Sequence, residues 1–222
     1  MNEQMTQFQV RRASYDDIPF LSWCNYESSS PAPGFCYWDP LLEGTNTTSI
    51  AFIDALFRSD ALAYGRATDF FVIEENGIAI GGASGFVMDT QDYRPLRLDR
   101  INMVAGRLGW DAQMIEQFMG GYAGVWSDPQ DITIAPPASW IIECVAVKPE
   151  SRGRGVAKAL LNAIIAEGAR QGHSHAGISV TIGNEPAQKV YEALGFQRYV
   201  TYWSAYFSDQ FPGTMKYRMK LN

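Results

Sequence analysis

VAVKPESRGRGVAKALL, residues 145–161, is the stretch on which the fold turns. An apolar, β-rich run ends at Pro149, two glycines alternate with two arginines, and a helical pattern begins at once. Gly153 and Gly155 admit backbone conformations that a Cβ forbids and let the chain approach a ligand closely. The helix that follows is expected to bury Val156, Leu160, Leu161, Ile164 and Ile165, which anchors its axis and leaves its first N–H groups free. With the helix dipole, those groups form an anion site that Arg152, Arg154 and Lys158 can supplement from the side. Four basic residues (Lys148, Arg152, Arg154, Lys158) face one acid, Glu150, in a chain whose formal net charge is -6.

Two nucleotide readings fit this stretch poorly. A Walker-type loop needs Gly-Lys-Ser/Thr at the helix start, which GVAKAL lacks. A dinucleotide fingerprint needs a third glycine, where Lys158 stands. The residues by themselves indicate an anion without saying which one.

Working outward, SWIIECVAV (139–147) reads as a buried strand and GVAKALLNAIIAEGARQG (155–172) as a helix. AGISVTIG (176–183) alternates as a strand, NEPAQKVYEALG (184–195) is helical, and FQRYVTYWSAY and TMKYRMKLN close the chain as two strands. Upstream, FQVRR opens as a short strand. A helix follows, with Ser14 as its N-cap and Asp16 and Asp17 in its first turn. The Ser/Pro/Gly-rich segment 28–49 reads as a long loop, and Ile50, Ile53, Leu56 and Phe57 mark a second helix. Asn76 and Gly77 between two β-rich runs indicate a type I′ hairpin. Residues 89–138 look like an insert with two amphipathic helices, returning to extended structure at Pro136 and Pro137. This order predicts a single α/β domain over 1–222, an α+β mixed sheet with helices packed on it and a helical insert at about 89–138.

At 222 residues the chain is long enough to bury a proper core. A pI near 4.9 argues against a nucleic-acid partner and mildly favours cationic substrates. The first residues carry no apolar h-region and no apolar run nears the ~20 residues of a membrane span, so neither export nor a membrane partner is expected. Cys24, Cys36 and Cys144 have no metal-ligand spacing and read as free thiols in a reducing cytoplasm. No metal site is expected: His173 and His175 have no acidic or thiol partner nearby and read as exposed loop residues.

Glu143 is the one charge in WIIECVAV. An unpaired buried carboxylate costs several kcal/mol or takes up a proton, so one tolerated here faces a cavity or a partner. Period-two alternation sets it on the face of Ile141, Val145 and Val147 and turns Cys144 away, which favours Cys144 as a small buried residue over an acyl-carrying nucleophile. Tyr191 has the helical spacing of a core aromatic, and Asn184 is a good N-cap before Pro186. The insert's Trp110, Met114, Phe118, Met119, Tyr122 and Trp126 either wall a pocket or pack onto the sheet.

RGRGVA (152–157), preceded by ECVAV, resembles the Arg/Gln-x-x-Gly-x-Gly/Ala signature of the GCN5-related N-acetyltransferase superfamily. NEPAQKVYEALGF is similar to that family's second motif, carried by Asn184, Ala187, Tyr191, Gly195 and Phe196. The close resemblance covers residues 139–196. It implies a twisted, mostly antiparallel sheet with flanking helices, and acetyl-CoA as co-substrate. Its pantetheine would lie along Val145, Ala146 and Val147, with the Val145 N–H polarising the thioester carbonyl. Its diphosphate would be held by Arg152, Gly153, Arg154, Gly155, Val156 and Ala157, with Asn184 and Ala187 along the CoA arm. The resemblance further implies Glu143 as general base and Tyr191 as the acid that protonates the departing thiolate, in direct transfer to a primary amine. Acidity and the insert favour a small cationic amine, and homodimers are common in the family. A protein lysine or N-terminal acetyltransferase and a non-catalytic acyl-CoA-binding module are the alternatives.

Overall fold

The computed structural model describes residues 8–203 and 211–222. Seven strands, β1 (Gln9–Arg12), β2 (Phe70–Glu75), β3 (Ile78–Phe86), β4 (Trp140–Val147), β5 (His175–Thr181), β6 (Gln197–Trp203) and β7 (Gly213–Lys220), form one sheet in the order β1-β2-β3-β4-β5-β7-β6. All neighbours are antiparallel except β4 and β5. The helices are α1 (Ile18–Ser28), α2 (Asp39–Leu42), α3 (Ser49–Arg58), α4 (Ile101–Leu108), α5 (Ala112–Val125), α6 (Val156–Arg170) and α7 (Glu185–Ala193).

Local chemistry explains most boundaries. Asn76 (φ 53°) and Gly77 (φ 77°) both take the left-handed region that the β2–β3 turn requires. Thr48 and Asp111 cap α3 and α5 by accepting from the Ala51 and Met114 N–H groups at 3.3 and 2.9 Å. Three expectations need correction. Ser14 caps a 3-10 turn, Tyr15–Asp17, and the α-helix starts only at Ile18. The 28–49 segment holds the short helix α2, opened by Pro40 in its first turn. Residues 128–138 are turns rather than extended chain, because Asp128 and Asp131 each accept a hydrogen bond from the N–H two residues on, both at 2.8 Å. The part of the expected β6 beyond Trp203 lies outside the described residues.

Each face of the sheet has its own core. On one, α1, α3, α4 and α5 gather around Phe52, Leu56, Phe70, Phe118 and Tyr122. On the other, α6 and α7 pack over Trp140, Ile142, Leu160, Ile164 and Tyr217. Trp140 draws α6 onto the sheet: its Nε1 donates to the Ile164 carbonyl at 3.1 Å. A Cβ on Gly168 would lie 2.5 Å from the indole, and one on Gly85 2.7 Å.

The feature that creates a site is an interruption of this regularity. β4 and β5 pair only at 140–142 with 176–178, then separate. At that point β4 bulges: Ser84 pairs with Glu143 and Gly82 with Ala146, so Cys144 and Val145 together oppose one residue of β3. Cys144 takes φ 57° to make the bulge.

The Trp140 contact predicts an inversion of helix propensity. Gly168→Ala should lower stability by about 1–3 kcal/mol through overpacking, although alanine is the better helix former. Gly120→Ala in α5, where a Cβ meets nothing within 4 Å, should raise stability by about 0.5–1 kcal/mol. Urea denaturation of the two variants measures both.

Candidate active site

The loop from Lys148 to α6 is built as its residues suggest. Pro149–Ser151 form a 3-10 turn, and Gly153 and Gly155 take φ values of 74° and 81°. No atom lies within 4 Å of a Cβ placed on either, so the left-handed backbone, not crowding, calls for glycine there. Buried Val156, Leu160, Leu161 and Ile164 anchor α6, so the N–H groups of its first turn stay directed out of the loop.

The basic side chains divide their work. Arg152 folds back, donating from Nε to the Val147 carbonyl at 2.9 Å and pairing with Glu27 at 3.3 Å, which ties the loop to β4 and α1. Arg154 turns to the far side of the loop, where Glu75 holds it and Phe8 lies beneath it. Lys158 stays exposed on the first turn of α6.

A cavity of about 1270 Å³ runs from this loop through the gap between β4 and β5 to the far side of the sheet. Val145, Ala146, Val147, Arg152, Gly153, Gly155, Val156, Ala157, Asn184 and Ala187 all line it, as do Glu143 and Tyr191. Arg154 alone of the expected site residues does not. Asn184 caps α7 as expected, accepting from the Ala187 N–H at 3.3 Å.

Glu143 lies deep in the gap. Burial pushes its carboxyl up to about 7 against the opposing effects of the Lys216 charge and a hydrogen bond from Ser179. Its face differs from the alternation expected. Ile141 packs with Phe86 and Met88, whereas beyond the bulge Val145 and Val147 join the α6 core. The same bulge sets Cys144 against α1, where Asn25 Nδ2 donates to its sulfur at 3.4 Å. Burial holds that thiol up at about 12, so it stays protonated near neutrality and is a poor nucleophile. Tyr191 is buried against Phe196 and Tyr217, and burial together with the Glu143 charge raises its phenol above the ordinary value. At neutral pH it is a proton donor.

Sequence reasoning missed Lys216. It stands beside Ser179 across the β5–β7 ladder, is 3% exposed, and donates to the Ala135 carbonyl. Burial lowers its ammonium to about 8. In the sequence Lys216, Arg218 and Lys220 alternate as a solvated face would, and nothing signals that the turns before β4 cover the first of them.

The other candidates resolve into packing. Phe118 and Tyr122 are core residues and Trp110 stacks on Phe52, while Trp126 reaches the cavity. His173 lies against Trp140 with ring centroids 5.3 Å apart, and His175 is the first residue of β5. Both are half-buried, His173 in the loop before β5. Among the described residues no three His, Cys, Asp or Glu side chains group as metal ligands, and no helix is long and apolar enough to cross a membrane.

A profile of the Acetyltransferase (GNAT) family matches residues 36–196. The chain is 29% identical over 87 residues to mouse "Probable N-acetyltransferase family 8 member 5", a match that takes in 34% of this chain and 38% of that protein's length. Its fold is similar to a GCN5-related N-acetyltransferase from Kribbella flavida (TM-score 0.56, 20% identity, 96% of this chain and 98% of that one). It is also similar to yncA of Salmonella typhimurium, solved with its cofactor acetyl-CoA (TM-score 0.53, 16% identity, 97% and 94%). The family match spans most of the chain, both sequence motifs and the gap between β4 and β5, and the chain belongs to the acetyltransferase (GNAT) family.

Proposed function

We propose that this chain transfers an acetyl group from acetyl-CoA directly to a primary amine of a small molecule. One observation carries the reading: the first turn of α6, the gap in the sheet, Glu143 and Tyr191 all line the same cavity. The N–H groups at 153–157 and Lys158 suit a diphosphate, since both the helix dipole and the ammonium favour negative charge. The chain at 145–147, released from β5, can run beside a pantetheine, with the Val145 N–H directed at the thioester carbonyl. Arg152 serves by fixing the loop; Arg154 contributes backbone rather than charge. Residues 89–138 act as an insert within a single domain, contributing Trp126 to the cavity wall. The three free cysteines suit a reducing cytoplasm.

In the transfer, Glu143 takes a proton from the bound ammonium, directly or through water, and leaves a neutral amine. The amine attacks the thioester carbonyl, and the C–S bond breaks as the amide forms. Tyr191 delivers its proton to the departing sulfur. A base with a carboxyl near 7 suits this work: it is ionised at working pH yet still takes up a proton. An extended polycation finds little to meet it, because Glu27 and Glu143 are the carboxylates that line the cavity among the described residues, and Glu27 is paired with Arg152.

Two measurements test the roles. A general base must be deprotonated to act, and burial raises the Glu143 carboxyl, so kcat/KM should climb as pH rises through about 7. Glu143→Gln should remove that limb and lower kcat/KM by about 10²–10³-fold. A limb that survives in the variant assigns it elsewhere. Tyr191→Phe should lower kcat by about 10²-fold while CoA affinity holds, and unchanged turnover would take Tyr191 out of the mechanism.

A further inference from the structure

The acceptor end of the cavity carries two charges, Glu143 on β4 and Lys216 on β7, with β5 between them. Glu143 and Ser179 both line this cavity, and Ser179 is the register partner of Lys216 on β7. The remaining charged groups that line the cavity are accounted for. Glu27 pairs with Arg152, while Lys158 and Lys189 belong to α6 and α7 on the donor side. Tyr202 lies against Lys216, and Tyr64, Met88 and Trp126 line the same cavity, together with the hydroxyls of Ser179, Thr181 and Thr214.

Lys216 is an unusual residue to place there. It is 3% exposed, rests with its ammonium 5.4 Å from the centre of the Tyr202 ring, and among the described residues makes one hydrogen bond, to the Ala135 carbonyl. An ammonium has three donors, and among the described residues no carboxylate pairs with this one; Glu143 and Asp131 act on it only at longer range. A buried cation in such surroundings costs several kcal/mol unless an anion joins it. If Lys216 served only to tune Glu143, a side chain ion-paired to that carboxylate would do so more directly. Its separation from Glu143, with the cavity open to both, leaves room for a ligand anion between the ammonium and the site of chemistry.

We propose that the acceptor is a free α-amino acid with an apolar or aromatic side chain, its carboxylate held by Lys216 and its amine presented to Glu143. The inference rests on the transfer reading above and names the acceptor of that same site. The spacing follows from the sheet. The two groups flank Ser179, so the anion and the reacting amine must be close neighbours on the ligand, as they are on one α-carbon. Peptide and protein N-termini have no α-carboxylate and are therefore poor acceptors. Simple amines lack the anion and leave Lys216, among the described residues, without a carboxylate partner.

The test compares L-phenylalanine with phenethylamine, which differ only by the carboxylate. Calorimetric binding of each to the protein saturated with CoA, and kcat/KM with acetyl-CoA, give two independent ratios. Wild type should favour phenylalanine by about 10- to 100-fold, the worth of one charge-assisted hydrogen bond in a buried site. Lys216→Met should bring the ratio close to one, and Lys216→Arg should restore part of it. The ratio cancels any effect of Lys216 on Glu143, which is common to both acceptors. Equal or weaker binding of phenylalanine by wild type overturns the proposal, as does a Lys216→Met variant that keeps the preference. If neither compound yields an acetylated product, the transfer reading fails, while the calorimetric ratio in wild type still decides whether a carboxylate site exists.

Discussion

The structure depends on a single break in strand pairing. β4 leaves β5 after Ile142, and at the next step it bulges against β3, with Cys144 in a left-handed conformation that a non-glycine residue rarely takes. Bulges bend the strand that carries them, and here the bend carries β4 away from its parallel neighbour. Two consequences follow. The backbone beyond Glu143 no longer bonds to β5, which opens a slot in the middle of the sheet. The side-chain alternation also shifts, sending Val145 and Val147 into the α6 core and Cys144 towards α1. The strain of order 1–2 kcal/mol in such a residue is held by well-packed cores on both faces.

The slot determines the electrostatics of everything in it. Glu143 would be an ordinary carboxylate at the surface; inside the gap, desolvation raises it towards neutrality. Tyr191 is moved the same way and stays protonated, so the two groups have pKa values that suit the parts proposed for them. The helix start at the mouth of the slot adds positive potential where an anion would enter, while Glu143 and Lys216 are the charged groups at its interior among the described residues. Charge is therefore graded along the cavity in an otherwise acidic molecule.

Much of this was legible in the residues. The anchored helix start, the positive-φ glycines, the Asn-Gly turn and the capped helices are local features, and local chemistry predicts them well. Asn184 caps α7 as its place before Pro186 suggests. Non-local facts were harder to read. The bulge at Cys144 has no sequence signature, since neither glycine nor asparagine marks it, so alternation along β4 put Val145 and Val147 on the wrong face. Arg154 reads as a phosphate ligand, and its pairing with Glu75, 79 residues earlier, has no local signal in the sequence. Lys216 looked solvated because the segment covering it comes 81 residues earlier in the chain. The Asx turns at Asp128 and Asp131 were visible as Asp residues but were outweighed by the nearby prolines.

A crystal structure of the protein with CoA tests the central claim most directly. The account predicts the pantetheine in the gap, between residues 145–147 and 179–181, the diphosphate on the N–H groups of 153–157, and the sulfur facing Tyr191. CoA bound outside the gap, or β4 and β5 paired along their full length in the complex, would contradict it.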